Sequence, residues 1–247
     1  MTIEELDRLK ARLDSLRPLP DATLRSLHDD LVLRWTYHSN AIEGNTLTLM
    51  ETRLVLQDGI TIGGKSLREH FEAINHRDAI EYIMSIVDSA EPFGEWQIRN
   101  VHRLILKNID DDNAGRYRQA NVLIAGARHT PPDAVLLPEL MDGFIQWYHR
   151  DGASMHPVER AAYVHARFVG IHPFIDGNGR TSRLLMNLEL IKAGFPPAVL
   201  PVERRLAYYE ALDKAHVEGD LGDFVQLIAR CAAEGFDPFW RVLGIKP

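Results

Sequence analysis

Residues 157–194 read PVERAAYVHARFVGIHPFIDGNGRTSRLLMNLELIKAG, and this stretch predicts two apolar helices joined by a short polar loop. The first helix, 157–171, is apolar enough to be buried, and the second ends at Gly194. The loop between them contains one histidine, one aspartate, two arginines and the sequence Gly-Asn-Gly. We expect the remaining chain to be organised around this helix–loop–helix unit.

The sequence Gly177-Asn178-Gly179 is typical of a loop that binds an anion. Glycine tolerates the positive φ angles that point successive backbone N–H groups into one concavity. That concavity would open at the N-terminus of a helix, where the helix dipole favours negative charge. Arg180 and Arg183, three residues apart on the first helical turn, reach the same side. The loop therefore predicts a site for a polyphosphate.

The loop also carries groups that phosphate chemistry requires. Asp176 lies beside the predicted anion site, and an acidic group there commonly holds Mg²⁺ against phosphate oxygens. His172 has the only side chain of the loop that can act as a base near neutral pH. The two arginines would neutralise a leaving polyphosphate. Together these residues fit the attack of a hydroxyl group on a phosphate of a nucleotide–Mg²⁺ complex.

The composition argues against several other classes of protein. The 247 residues include 28 Lys and Arg and 35 Asp and Glu, a net charge of −7, so no chain-wide basic surface points to nucleic acid. The single cysteine, Cys231, excludes a disulfide framework. The first residues, MTIEELDRLK, do not read as a signal peptide, and no run of 18 apolar residues predicts a membrane span. We expect a cytoplasmic protein without a nucleic-acid or membrane partner.

Hydrophobic periodicity predicts an all-α fold, a helical bundle of about nine helices with one β-hairpin. The convincing strand pattern is RYRQANVLIA at 116–125. A single hairpin cannot form the core of such a domain, so we expect residues 121–126 to project as a flap. The predicted helices cover residues 2–17, 21–44, 66–84, 95–108, 136–150, 157–171, 181–194, 202–218 and 220–234.

Residues 59–66, GITIGGKS, match the P-loop pattern G-x-x-x-x-G-K-S. A P-loop requires a buried parallel strand immediately before it. The preceding residues instead have Leu49, Arg53 and Leu56 in a helical rhythm. We therefore interpret 59–66 as a turn between helices and expect Lys65 to face solvent.

Glu43 has an unusual position, because it lies at the C-terminal end of a long predicted helix, directly before Gly44. The helix dipole disfavours a negative charge at this end. A buried cation partner would explain the position, whereas a solvated terminal glutamate is the commoner arrangement. The residues by themselves leave both interpretations open.

Residues 172–183 resemble the motif of the Fic family, H-x-F-x-[D/E]-G-N-G-R-x-x-R, at every defined position. Residues 39–44 resemble the inhibitory motif of that family, [S/T]-x-x-x-E-[G/N], in the subclass whose inhibitory helix precedes the catalytic core. The similarity extends through residues 36–230. The resemblance implies the Fic fold, divided into an N-terminal helical extension at 1–92 with the inhibitory helix at about 21–44, a Fic catalytic core at 93–235 and a C-terminal tail at 236–247.

The resemblance implies a protein adenylyltransferase, which moves AMP from ATP to a Ser, Thr or Tyr hydroxyl of a target protein. By this resemblance His172 is the base, Phe174 packs inward to hold the loop, and Asp176 binds Mg²⁺. For the two tyrosines among the implied ATP-binding residues, ordinary packing is an equally good explanation. The implied ATP-binding residues are Gly177, Asn178, Gly179, Arg180, Arg183, Tyr208 and Tyr209.

The resemblance also implies regulation and partners. The inhibitory residues are Ser39, Glu43 and Gly44, and Glu43 pairs with Arg183 in the place that the ATP γ-phosphate needs. In some relatives the same glutamate helps to remove AMP. The flap is implied to bind a protein substrate by strand addition, and a homodimer is compatible with the family. The implied flap residues are Asn121, Val122, Leu123, Ile124, Ala125 and Gly126.

Two alternatives stay open. A Fic-type transferase can use another nucleotide or a phosphodiester donor, and His216 stands where relatives often carry Asn, which bears on nucleotide recognition. The other alternative is a regulator that senses nucleotides without catalysis. His172 argues against it, since a protein that only binds nucleotide needs no base in the loop.

Overall fold

The structure is a computed structural model that describes residues 1–89 and 91–246. Within those residues the regular secondary structure is helical and contains no β-strand, which confirms the all-α prediction. A π-helical turn, Leu54–Asp58, continues the third helix. The helices are α1 (Ile3–Asp14), α2 (Asp21–Ile42), α3 (Leu49–Arg53), α4 (Leu67–Ser85), α5 (Glu95–Leu106), α6 (Leu137–His149), α7 (Pro157–Ile171), α8 (Asn178–Lys192), α9 (Arg205–Glu218), α10 (Gly222–Glu234) and α11 (Asp237–Val242).

Local sequence explains where several helices begin. Thr2, Thr48 and Ser66 each accept a hydrogen bond from the backbone N–H three residues later, and the glutamate at that later position bonds back to the cap. This capping box satisfies N–H groups that the first turn of a helix leaves unpaired. The capping box at Ser66 makes α4 begin directly after the Gly-Gly-Lys-Ser turn. The interpretation of 59–66 as a turn between helices is therefore confirmed.

Lys65 in this turn is partly exposed to solvent and also bonds to the protein, which the sequence did not predict. Its ammonium group donates to the carbonyl oxygen and the hydroxyl of Thr46, and its side chain is only 20% exposed. The carboxylate of Glu51 lies 3.8 Å away. The segment after α2 brings these oxygen atoms to the turn, an arrangement between distant residues that the local pattern does not reveal.

The core forms around α7 and α8. Every residue of α8 from Arg180 to Leu190 is buried, and α7 packs along it. Leu6 of α1 and Ile42 of α2 are fully buried in the same cluster as apolar residues of α7, α9 and α10. The helices of the N-terminal part therefore share the core, and the end of α2 reaches the loop between α7 and α8. In the described ranges, no helix combines the length and apolar character needed to cross a membrane.

The predicted β-hairpin is wrong. Residues 121–124 have no regular secondary structure, and a turn follows at 125–126. The side chains still alternate, with Val122 and Ile124 half-buried and Leu123 83% exposed. An alternating pattern predicts a strand, but a strand forms only where a second segment pairs with its backbone. No such segment lies beside the flap in the part of the chain that the structure describes.

Candidate active site

The loop between α7 and α8 begins and ends with a left-handed backbone conformation. His172 follows α7 at φ +51°, and Gly177 precedes α8 at φ +75°. A Cβ atom on Gly177 would approach the His102 ring to 3.2 Å, so space as well as conformation favours glycine there. Residues 172–177 are thereby held at the N-terminus of α8, as the glycine pattern predicts.

Asn178 and Phe174 fix the shape of the loop from inside. The side chain of Asn178 accepts a hydrogen bond from the Phe174 N–H at 3.0 Å and donates to the Phe174 carbonyl oxygen at 2.9 Å. The Phe174 ring is fully buried, as expected, and stacks on the His102 ring with 3.5 Å between the centroids. The side chain of Asn178 therefore holds the loop. Its backbone N–H lies on the first turn of α8 and is the group that can donate to an anion.

His102 supports the loop from α5, and the sequence analysis missed it. The Gly115 N–H donates to Nδ1 at 2.9 Å, so Nε2 carries the proton and donates to the Asp176 carbonyl oxygen at 2.9 Å. Burial lowers the pKa of His102 to about 4, so the ring stays neutral and keeps this tautomer near pH 7. The sequence did contain a signal for its burial. His102 lies four residues after Ile98 and three before Ile105, which places it on the apolar face of the helix.

Arg118 is a second supporting residue that the sequence analysis missed. Its Nε donates to the His172 carbonyl oxygen and its backbone N–H to the Pro173 carbonyl oxygen, both at 2.9 Å. Its other guanidinium N–H groups donate to the carbonyl oxygens of Ala120 and Pro132, which lie on either side of the flap. A buried arginine thus joins both ends of the flap segment to the loop. Nothing in its local sequence, RYRQ, marks this role.

The His172 imidazole can act as a base. Burial lowers its pKa to about 4, and the nearby positive charge of Arg118 also lowers it. The ring is therefore neutral near pH 7 and has a nitrogen that can accept a proton. An imidazole in this state satisfies the first requirement for activating a hydroxyl group.

Arg180 is 2% exposed, and part of its guanidinium group has no hydrogen-bond acceptor in the described residues. Its guanidinium lies 3.4 Å from a Glu72 oxygen and 3.3 Å from an Asp176 oxygen. The Nη1 atom is the one near Glu72, without hydrogen-bond geometry, and Nε has no acceptor within residues 1–89 and 91–246. Buried N–H groups without an acceptor cost free energy, so their presence beside a helix N-terminus favours a site that an anion completes.

Arg183 is already engaged by the end of α2. Its Nη2 donates to a Glu43 carboxylate oxygen at 2.8 Å and to the Ser39 carbonyl oxygen at 2.8 Å, and its Nε donates to the Ser39 hydroxyl at 3.0 Å. Burial by itself lowers the pKa of Arg183, but the charge of Glu43 and the contact with Tyr208 raise it above its ordinary value. The structure therefore gives Glu43 the buried cation partner that the sequence left open.

The Glu43 carboxylate lies at the N-terminus of α8. A Cβ atom built on Gly179 would collide with a Glu43 oxygen, so the carboxylate and the glycine backbone are in direct contact. Gly44, at φ +99°, turns the chain immediately after Glu43. A negatively charged group of the protein thus lies where the sequence predicts that an anion binds.

Tyr208 and Tyr209 differ in their contacts. Tyr208 is 1% exposed, and its hydroxyl lies 3.3 Å from Arg183 Nη1 and 3.0 Å from His165 Nε2. Tyr209 is 40% exposed and donates its hydroxyl to the Ile42 carbonyl oxygen, at the last residue of α2. His216 donates to the carbonyl oxygen of Ala166 in α7 at 2.8 Å. Packing and hydrogen bonds within the protein account for all three side chains.

Asp176 is the carboxylate of the loop that could bind a metal ion. One oxygen accepts from the Gly177 N–H at 2.6 Å, and the other lies 2.6 Å from Arg68 of α4. Burial raises its pKa, but Arg180, the Gly177 N–H and Arg68 outweigh it, so the pKa lies below its ordinary value. The described residues contain no group of three His, Cys, Asp or Glu that could hold a metal. Mg²⁺ fits a single carboxylate because phosphate oxygens and water complete its coordination.

The loop between α7 and α8 and the helices around it match a known protein family. A model of the Fic/DOC family matches residues 92–190. The chain is 37% identical over 248 residues to the protein adenylyltransferase Fic of Nematostella vectensis, which covers 99% of this chain and 57% of that protein. The chain spans about half the length of the curated relatives it matches.

Two solved structures share the fold over most of their length. Fic-1 from C. elegans, solved for its residues 134–508, has a TM-score of 0.85 and 35% identity, covering 98% of this chain and 70% of that one. A Fic-domain-containing signalling protein from Bacteroides thetaiotaomicron has a TM-score of 0.90 and 31% identity, covering 98% and 97%. Identity above 30% over 98% of this chain, and over 97% of the Bacteroides protein, shows common descent as well as a common fold. This chain belongs to the Fic/DOC family.

Proposed function

We propose that this protein transfers AMP from ATP to a Ser, Thr or Tyr hydroxyl of a target protein. The observation that carries the proposal is the combination, between the end of α7 and the first turn of α8, of the neutral imidazole of His172 and the buried guanidinium of Arg180, whose Nε lacks an acceptor in the described residues. A base for the hydroxyl and donors for phosphate oxygens are what nucleotidyl transfer requires. The names of the curated relatives, protein adenylyltransferases, support the same reaction.

In the proposed reaction, His172 accepts the proton of the target hydroxyl while the hydroxyl oxygen bonds to the α-phosphorus of ATP. The bond from that phosphorus to the bridging oxygen breaks, and pyrophosphate leaves. Arg180, Arg183 and the backbone N–H groups at the start of α8 neutralise the negative charge of the phosphates. Asp176 would hold Mg²⁺, and this ion would supply positive charge to the phosphates.

We further propose that Glu43 keeps the enzyme in a resting state. Its carboxylate contacts Gly179 and pairs with Arg183, so it uses the anion-binding groups that the ATP phosphates need. Two anions cannot share one guanidinium and one helix N-terminus without strong repulsion. Productive binding of ATP therefore requires the end of α2 to move, and Ser39 and Gly44 define the resting position of that end.

The roles of His172 and of ATP are tested together by transfer of label. The variants Glu43→Gly and Glu43→Gly/His172→Ala are incubated with Mg²⁺ and ATP labelled at the α-phosphorus. We expect label on the first protein and a loss of at least about 100-fold in the second, the contribution of a general base. Binding of AMPPNP, measured by calorimetry, should persist in both. Transfer that survives in the double variant would remove His172 from its role.

A matched control is His28→Ala in the Glu43→Gly background. His28 bonds to Glu81 on the surface, far along α2 from the loop, so this variant should keep full transfer. UTP labelled in the same way tests the alternative nucleotide donor. Binding of AMPPNP without transfer from any labelled nucleotide would instead support the nucleotide sensor.

Removal of AMP is a second reaction that one observation favours. The Glu43 side chain is 33% exposed, so water can reach its carboxylate in the resting state, and its negative charge opposes the lowering of the His172 pKa by burial. Glu43 would orient a water molecule whose oxygen bonds to the phosphorus of the AMP group while the bond from that phosphorus to the target oxygen breaks; a proton of the water ends on the target hydroxyl, and AMP leaves. Incubating an AMP-modified target with wild type and with Glu43→Gly tests this reaction, and equal release by both proteins would exclude it.

We propose that the target protein binds to the flap, residues 121–126. The backbone of this segment has no strand partner in the described structure, and Leu123 is 83% exposed at its centre. An extended target segment that added its backbone there would gain hydrogen bonds while its side chains used the alternating faces of the flap. Because Arg118 ties both ends of the flap to the His172 loop, a segment bound there would be held near the base.

The remaining sequence expectations stay proposals. Residues 1–92 would regulate the core at 93–235, and residues 236–247 would form a tail. The protein would be located in the cytoplasm. A homodimer remains a proposal that rests on the family resemblance. Sedimentation velocity over a range of concentrations tests the dimer, and a monomer at every concentration would exclude it.

A further inference from the structure

Four charged side chains form a closed ring between α4 and the loop before α8. Arg68 lies 3.1 Å from Glu72 and 2.6 Å from Asp176, and Arg180 lies 3.4 Å from Glu72 and 3.3 Å from Asp176. Each guanidinium thus contacts both carboxylates, and the ring carries no net charge. The partners come from positions more than 100 residues apart in the sequence.

The two halves of the ring differ in their exposure. The side chains of Arg180 and Glu72 are 2% and 11% exposed, whereas those of Arg68 and Asp176 are 55% and 43% exposed. The inner pair is fixed by the core and by Asn45, which donates to the other Glu72 oxygen at 2.9 Å. The outer contact, between Arg68 and Asp176, is the one that can open without rearranging the core.

Asp176 is also the carboxylate that the proposed function gives to the divalent cation. A cation on its outer oxygen would lie next to the Arg68 guanidinium, and like charges at contact distance repel. Arg68 would therefore have to leave before a metal ion could bind there. Once released, it keeps Glu72 as a partner and can extend into solvent, so its departure leaves no buried charge.

We propose that Arg68 is a positioning residue that takes the place of the divalent cation at Asp176 and thereby sets the metal concentration that the nucleotide site requires. This inference rests on the proposed function of the same site. It is separate from the Glu43 contact, because Arg68 belongs to α4 and acts on the metal-binding carboxylate, whereas Glu43 belongs to the end of α2 and acts on Arg183. The resting site is thus closed at its metal end as well as at its phosphate end.

The test measures metal binding without catalysis. Mn²⁺ is titrated into the 247-residue chain with a fixed amount of AMPPNP, and free Mn²⁺ is followed by electron paramagnetic resonance. We expect Arg68→Gln to lower the half-saturating Mn²⁺ concentration by about threefold to fivefold, the effect of a strong exposed ion pair. Arg77→Gln is the matched control, since Arg77 lies on the same helix and pairs with Asp78, away from the loop. Its half-saturating concentration should stay within about 1.5-fold of wild type.

Arg68→Lys provides a second variant that keeps the charge but cannot bridge two carboxylates with a planar fork. It should shift the half-saturating concentration in the same direction by less. Equal values for wild type, Arg68→Gln and Arg68→Lys would overturn the proposal. Weaker binding of AMPPNP to Arg68→Gln in EDTA would assign Arg68 to the nucleotide and also overturn it. If no variant bound Mn²⁺ with AMPPNP, the proposed function would fail together with this inference.

Discussion

Replacing Glu43 by glycine removes the protein's own anion from the proposed phosphate site and leaves Arg183 with three hydrogen bonds. Arg183 keeps its hydrogen bonds to the Ser39 hydroxyl, the Ser39 carbonyl oxygen and the Tyr208 hydroxyl. Arg183 loses its carboxylate partner but keeps these three hydrogen bonds, so we expect the free energy of unfolding to fall by about 1.5–2 kcal/mol, the value of a charge-assisted hydrogen bond to a partly exposed carboxylate. A folded domain tolerates a loss of this size, so the change tests occupancy of the site.

The size of the effect follows from the contact that is lost. A charge-assisted hydrogen bond contributes about 1.5–3 kcal/mol. Because the Glu43 side chain is 33% exposed, the lower part of that range applies, about 1.5–2 kcal/mol. At 1.36 kcal/mol per factor of ten, wild type would have the site open in only a small percentage of molecules. We expect the initial rate of AMP transfer to rise by about 10-fold to 30-fold in Glu43→Gly.

The assay is the initial rate of self-labelling from ATP labelled at the α-phosphorus, at saturating Mg²⁺. Glu43→Gln is the matched variant, because its amide keeps the shape and can accept from Arg183 without a negative charge. It should give a rate between those of wild type and Glu43→Gly. Equal rates for all three proteins would refute autoinhibition by Glu43. If Glu43→Gln were as slow as wild type while Glu43→Gly were faster, the shape of the side chain rather than its charge would close the site.

Two further outcomes follow from His172 and Gly179. His172 must be neutral to accept a proton, so kcat/KM for ATP should be level from pH 8 to 6 and should fall only as the pH drops through its lowered pKa. Measured in Glu43→Gly, where a charge that raises this pKa is gone, an acid limb centred near pH 7 would contradict the assignment. Gly179→Ala places a methyl group where both the Glu43 carboxylate and a phosphate would lie, so it should abolish AMPPNP binding in either background. Calorimetry checks this against Gly143→Ala, where the added methyl group meets open space, and tight binding by Gly179→Ala would place the phosphates elsewhere.

The sequence predicts the parts of the site that lie within short segments. Residues 172–183 contain the start of α8 and both arginines, and glycine placement predicts the left-handed conformation of Gly177 but not that of His172. The meeting of Glu43 with Arg183 required the family resemblance, because 140 residues separate them. An unfavourable charge at a helix end indicates that a partner exists but not which residue it is.

Other features depend on tertiary contacts that no local pattern encodes. Arg68 reaches Asp176 across 108 residues, and Arg118 satisfies carbonyl groups of residues that look unremarkable in sequence. The hairpin prediction was wrong for the same reason. The alternating apolar pattern at 121–126 describes one strand, and it does not show that a second strand lies beside it. Lys65 likewise found its acceptors on Thr46, in a segment brought near only by the fold.

The last turn of α2 is attached to the helices of the site through its backbone as well as through Glu43. The Ser39 carbonyl oxygen accepts from Arg183, and the Ile42 carbonyl oxygen accepts from Tyr209. Under the proposed resting state, nucleotide binding and release of this turn would be linked equilibria, and linkage is reciprocal. A protein that captures the released turn would raise ATP affinity by the same factor by which ATP favours its release. Such a partner would activate the enzyme without touching the nucleotide, and amide hydrogen exchange at residues 40–44 would report occupancy of a site on a different helix.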